Sequence, residues 1–252
     1  MAENDNWEGV YKKEFNGTWY PAENIVKFSA RYLKRRIGIN NWEVKKKIDK
    51  ILDAGCGIGR HVSFFQEQEI EAYGIDISDE AIKTGNIWLK NKNQKPTLKT
   101  ASVTKIPFKD NYFDVVISHE TLDHISISDA KNAIEEIKRV CSSGGYIYVS
   151  FRSTQDSEFG RGEKVDSNTF VLEKGYEKGL IQHYFDLEEI LKLLKNLKIF
   201  DITLIDEKFP SSYTIDKAFL QSSQSFKQYF DLNEPINIDN KNSRWHIIAE
   251  NI

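Results

Sequence analysis

The sequence predicts an α/β protein whose mostly parallel sheet is covered by helices on both faces. Three observations carry that expectation: apolar strand-like runs alternate with helical patterns from Ile48 to Phe151, a glycine-rich turn closes the first run, and an acidic residue closes the second.

In order along the chain, Ile48–Asp53 reads as a buried strand broken by Gly55, Gly57 and Gly59, and His61–Glu69 as the helix that follows. Glu71–Ile75 is the second strand and ends at Asp76. Ser78 is placed to cap a helix whose apolar contacts come from Ala81, Ile82, Ile87, Trp88 and Leu89. Leu98–Val103 is a short third strand, and the β-branched run Phe113–Ser118 has the character of a fully buried fourth. A helix over Ser128–Val140 and a fifth strand at Tyr146–Phe151 complete the alternation. Beyond it the pattern predicts a helix at Leu187–Leu197 begun by Asp186, strands at Ile199–Ile205 and Arg244–Ala249, and an insertion at 206–243 with a helix near Ile215–Phe230.

Charge and composition narrow the function. The chain has 252 residues and a net charge of -3, which removes the general attraction to phosphate backbones that nucleic-acid binders exploit; a local basic patch needs its own argument. No run of about 20 apolar residues is present to span a membrane. Met1–Trp7 lacks the pattern of a signal peptide, and the two cysteines, Cys56 and Cys141, form no metal or disulfide framework. The expectation is a cytoplasmic protein with no membrane or nucleic-acid partner.

The central motif is Asp53-Ala54-Gly55-Cys56-Gly57-Ile58-Gly59-Arg60. A glycine turn between a strand and a helix lets backbone N–H groups approach a ligand, and a carboxylate such as Asp76 can accept both hydroxyls of a ribose. A dinucleotide fingerprint needs glycine at position 60, where Arg60 stands, so a nicotinamide dehydrogenase is disfavoured. The acidic-x-Gly-x-Gly-x-Gly arrangement resembles motif I of the class I S-adenosylmethionine-dependent methyltransferases. Thr104–Phe108 with Phe113–Ser118, and Thr121–Ile125, resemble further segments of that family's small-molecule branch.

The resemblance implies a Rossmann-like seven-stranded mixed sheet of order 3-2-1-4-5-7-6 with strand 7 antiparallel, and S-adenosylmethionine as cofactor, leaving as S-adenosylhomocysteine. Asp53, Gly55, Cys56, Gly57 and Gly59 would line its methionine part, Asp76 its ribose, and Ile77 its adenine. Ser102 and Val103 occupy the place where the family often has an acidic adenine contact, and Ser118 and His119 would lie beside the transferred methyl. His124 reads either as a general base or as a structural hydrogen-bonding residue; His119, Glu120 and His183 are the other candidates. His119 and His124 are spaced wrongly for a shared helical face, and no metal is expected.

Residues 1–47 are expected to form a helical lid, with Tyr11 and Trp19 as acceptor wall, and 48–252 the core with substrate caps near 152–182 and 206–243. Arg152, His183 and Tyr184 are the acceptor contacts expected in the first cap, whose cations suit an anionic or sugar-linked acceptor. The resulting expectation is methyl transfer to a small molecule, at oxygen, by a monomer or homodimer. A protein or RNA methyltransferase and an inactive cofactor-binding partner subunit are the alternatives.

Overall fold

A computed structural model of the chain describes residues 7–11, 19–173, 177–208 and 241–252. The helix expected near Ile215–Phe230 lies outside them.

Residues 7–11 are helical, and helix α1 (Glu23–Phe28) continues into a π-helical turn, Ser29–Leu33. The chain then forms an antiparallel hairpin, β1 (Lys34–Arg36) and β2 (Trp42–Val44), so residues 1–47 are not helical throughout. The Gly38 and Asn40–Asn41 turn residues close it, with Ile37 N–H donating to the Asn41 carbonyl.

The core follows as β3 (Lys50–Ala54), α2 (Arg60–Glu67), β4 (Glu71–Asp76), α3 (Asp79–Asn91), β5 (Leu98–Thr100) and β6 (Phe113–Ser118). After a 3-10 turn at Leu122–His124 come α4 (Ile127–Val140) and β7 (Cys141–Arg152). Three short strands, β8 (Glu163–Lys164), β9 (Thr169–Val171) and β10 (Ile181–His183), make a separate antiparallel sheet, and α5 (Leu187–Leu193), β11 (Leu197–Lys208) and β12 (Lys241–Asn251) end the chain.

The main sheet runs β11-β12-β7-β6-β3-β4-β5. In order of the core strands this is 3-2-1-4-5-7-6 read from the other edge, and β12 is antiparallel to both neighbours, as expected. Side-chain alternation splits the core in two. Leu52, Val116, Ile147 and Val149 point to the face covered by α4 and α5, whereas Ile51, Val115, Ile117 and Tyr148 point to the face of α1 and α2. The caps also follow side-chain chemistry: the Ser78 hydroxyl accepts from Ala81 N–H, Ser126 from Asp129 N–H, and Asp186 from Glu189 N–H. Among the described residues no helix is long and apolar enough to cross a membrane.

Candidate active site

At the carboxyl end of β3 the chain turns through Gly55 at φ 87° and Gly57 at φ 53°, and α2 begins directly after Gly59. A Cβ on Gly55 would stand 2.1 Å from the Thr121 Oγ1, and one on Gly57 2.6 Å from the Tyr11 hydroxyl. Both positions therefore need glycine for conformation and for space. Gly55 N–H and Cys56 N–H donate to the Ile75 carbonyl at 2.8 and 2.9 Å, which ties the loop to β4.

Asp76 ends β4 beside this loop. Its Oδ2 accepts from Gly57 N–H at 2.8 Å and its Oδ1 from Ser78 N–H at 3.0 Å. Burial pushes the carboxyl up to about 6, against those two bonds. Gly55, Asp76 and Ile77 share a cavity of about 180 Å³ with Ser102, Val103 and Thr121; Trp7, Tyr11 and His124 form its opposite wall. The volume is below the roughly 300–1,000 Å³ of ordinary ligand pockets, because the two aromatic side chains of residues 7–11 stand in the space. Glu8 holds this short helix in place by accepting from Asp79 N–H and Glu80 N–H at the start of α3.

Asp53, near the end of β3, is buried. Its Oδ2 is 3.1 Å from the His61 Nδ1, while its Oδ1 has no hydrogen-bond partner. Burial holds the His61 ring neutral, and Ala22 N–H donates to its Nε2, so Nδ1 carries the proton given to Asp53.

A second cavity, of about 140 Å³, opens beside the first, with Glu120 on the wall of both. Among the described residues its lining is almost wholly polar: Arg60, His119, Arg244 and His246 stand with Glu23, Asn24, Glu207 and Asn242, and Ala22 and Ile205 are apolar. Glu120 adopts φ 55° and is held at 3.2 Å by Arg60 Nη2, with the Arg244 Nε at 3.8 Å. Packing pushes its carboxyl up, but His119, Arg244 and Arg60 together hold it well below the usual carboxylate range. Arg244 in turn donates to the fully buried Asp123 at 3.0 Å.

His119 follows β6 directly. It is 6% exposed, and neither ring nitrogen makes a hydrogen bond; the nearest acceptor, Glu120 Oε2, is 3.5 Å from Nδ1. His246 faces it from β12, pushed down to about 3 by burial and by the neighbouring His119 and Arg244, so its ring is neutral. Among the described residues Asp53 Oδ1 and both ring nitrogens of His119 are buried without a hydrogen-bond partner, and of the two residues His119 lines the second cavity.

Comparison with known proteins agrees with this arrangement. The methyltransferase domain family matches residues 52–149. An uncharacterised methyltransferase of Schizosaccharomyces pombe is 36% identical over 111 residues, covering 40% of this chain and 39% of that protein. The tocopherol O-methyltransferase of Arabidopsis thaliana is 24% identical over 214 residues, 79% of this chain and 61% of its own length. The chain thus spans less than two thirds of these relatives. A methyltransferase structure from Methanosarcina mazei shares the fold, with a TM-score of 0.63 at 19% identity over 82% of this chain and 94% of its own. Residues 52–149 thus carry a match to a methyltransferase domain, and the fold resembles that of the class I S-adenosylmethionine-dependent methyltransferases.

The residues present suit that family's cofactor. Gly55 and Gly57 leave a cradle that a Cβ would fill, and each Asp76 oxygen, already accepting one backbone N–H, would keep a lone pair for a ribose hydroxyl; Asp53 is buried and lines neither cavity. Ile77, Ser102 and Val103 share the cavity with Asp76, though the Ser102 hydroxyl is turned to Thr104 Oγ1 at 2.8 Å.

Other expected contacts lie elsewhere. The Cys56 side chain is buried under the loop against Gly74, Gly59 packs against Leu98, and the Ser118 hydroxyl donates to the Ala54 carbonyl at 2.8 Å, tying β6 to β3. His124 stands among the cofactor-side residues, edge-on to Trp7, with Nδ1 3.2 Å from the Ile181 carbonyl. His183 is corrected: both nitrogens are engaged, by Thr169 Oγ1 at 2.7 Å and Glu189 Oε2 at 3.0 Å, and it lines neither cavity. Tyr184 is fully buried and donates to the Glu158 carbonyl, and Arg152 is held by Gln182, Asp156 and Glu158. Trp19 packs on Trp88 of α3. These four line neither cavity; the polar wall comes from α1, α2, the residues after β6, β11 and β12. Arg244, Asn24 and Asn242 were not foreseen, since no local motif marks residues joined only by the sheet order.

Proposed function

We propose that this methyltransferase transfers the methyl group of S-adenosylmethionine to a hydroxyl oxygen of a small hydrophilic acceptor in the second cavity, with His119 receiving the hydroxyl proton. The bound cofactor supplies a methyl carbon already activated by its sulfonium. The observation that carries the reading is His119 itself: a buried ring with both nitrogens unpaired, on the polar wall next to Glu120, the residue common to both cavities. The Glu120 carboxylate stands 3.5 Å from Nδ1, which leaves Nε2 for the acceptor. Arg60 and Arg244 keep that carboxylate charged and in place.

The cavity wall speaks for a neutral, hydroxyl-rich acceptor. Among the described residues three carboxylates (Glu23, Glu120, Glu207) and two guanidiniums line it, which speaks against the anionic acceptor expected from the cations of 152–182. Arg152 and Arg161 there reach Glu158 instead. Oxygen as the target is supported by relatives named tocopherol O-methyltransferase and ubiquinone biosynthesis O-methyltransferase, although ajmaline and norajmaline N-methyltransferases also match.

Thermal shift with S-adenosylhomocysteine against NAD tests the cofactor assignment, and stabilisation by the former alone is expected. A screen of polyhydroxylated metabolites with methyl-labelled cofactor tests the acceptor. Label recovered only on nitrogen, or only on lipophilic phenols, would refute this reading.

A further inference from the structure

The hairpin β1–β2 has no part in the site, and its composition is unlike the rest of the chain. Between residues 34 and 47 stand Lys34, Arg35, Arg36, Lys45, Lys46 and Lys47 against the single acid Glu43, in a chain whose net charge is -3. Its tip is apolar and bare: Ile37 is 61% exposed and Ile39 88%, with Val44 58% exposed on the second strand. We propose that this hairpin docks the protein on an anionic lipid bilayer surface.

Cations flanking exposed isoleucines combine the two signals that peripheral attachment needs, shallow apolar insertion and attraction to acidic headgroups. A nucleic acid fits the surface less well. The aromatic platform that bases would stack upon, Trp42, is already covered by Lys34 at 4.6 Å and Arg36 at 5.0 Å from the ring centroid. The isoleucines at the tip offer no hydrogen bonds to base edges.

The hairpin's place in the fold sets the orientation. Just after it, Asp49 N–H donates to Asp114 Oδ2 at the start of β6, and Lys46 Nζ donates to the Gly144 carbonyl early in β7. It therefore sits at the amino-end rim of the sheet, whereas both cavities open at the carboxyl-end rim. On a bilayer the site faces water, in keeping with its polar lining.

Sedimentation with vesicles tests the proposal. The full chain is expected to pellet with phosphatidylcholine vesicles containing about 30 mol% phosphatidylserine and not with phosphatidylcholine alone, and to be released at about 0.5 M salt as charges are screened. The double variants Ile37→Ser/Ile39→Ser and Arg36→Glu/Lys47→Glu should each weaken binding about tenfold or more, with S-adenosylhomocysteine affinity unchanged as the check on folding. Equal pelleting with both vesicles, pelleting with neither, wild-type behaviour of both variants, or tight binding of a mixed-sequence RNA through the same cations without vesicle binding would overturn it.

Discussion

Cofactor affinity should fall on mild acidification, through one carboxylate. Asp76 is held at about 6 by burial, and it can accept ribose hydroxyls on both oxygens only when ionised. If the protonated form binds negligibly, moving from about pH 7.5 to about pH 5 leaves roughly one site in ten charged and weakens S-adenosylhomocysteine about tenfold. The unliganded fold responds in the opposite sense. Between the unfolded value of 3.8 and the folded value of about 6 the native state binds the extra proton, so this group adds stability as pH falls. The stabilisation conferred by the ligand in a melting experiment should therefore shrink with acid. Titration calorimetry across that range measures the affinity directly. Asp76→Asn isolates this carboxylate from the histidines of the same site: it should bind at least tenfold more weakly at neutral pH, since a charged hydrogen bond is worth about 1.5–3 kcal/mol, and lose most of the pH dependence. A flat wild-type profile, or an Asp76→Asn variant with wild-type affinity, would refute the reasoning.

The second cavity yields its own tests. His119→Gln should lower turnover about a hundredfold or more with cofactor affinity nearly unchanged, read by methyl transfer to an acceptor from the screen; an unaltered rate would remove it as base. Asp123→Ala leaves the buried Arg244 without its main partner and should cost about 3–5 kcal/mol in urea denaturation. In the wild type the depressed Asp123 carboxyl keeps its contribution at neutral pH and loses it as pH falls through the folded value. Gly55→Ala forces a Cβ to 2.1 Å from Thr121 at a left-handed φ and should cost at least about 1–2 kcal/mol, visible as a lowered melting temperature. Trp7→Ala empties part of the cofactor cavity and should speed ligand association in stopped-flow fluorescence; an unchanged rate would show that the aromatic wall does not limit entry.

The elements with strong local periodicity were legible. Phe113–Ser118 appears with the bounds that its apolar run indicates, and the Gly55–Gly59 turn with Asp76 sits where strand ends and glycine spacing put it. The hairpin at Lys34–Val44 was hidden because Ile25–Leu33 carries a helical pattern that runs up to it without a glycine or proline break. The acceptor side was harder for a different reason. His183 and Arg152 have the chemistry of a site, yet a carboxylate stands within reach of each, and only the packing of α5 and of the chain around Glu158 shows it. Conversely, nothing near Arg244 in the chain announces that the antiparallel last strand brings it against Glu120 and Asp123, over a hundred residues away.

Because Glu120 lines both chambers, ligands seated in them would be linked through this carboxylate. Whatever displacement of that carboxylate one occupant imposes, the other experiences, and by reciprocity the factor by which cofactor alters acceptor affinity equals the factor for the converse. The left-handed backbone at this residue, two positions beyond the end of β6, presents its carboxylate to Arg60 and Arg244 together.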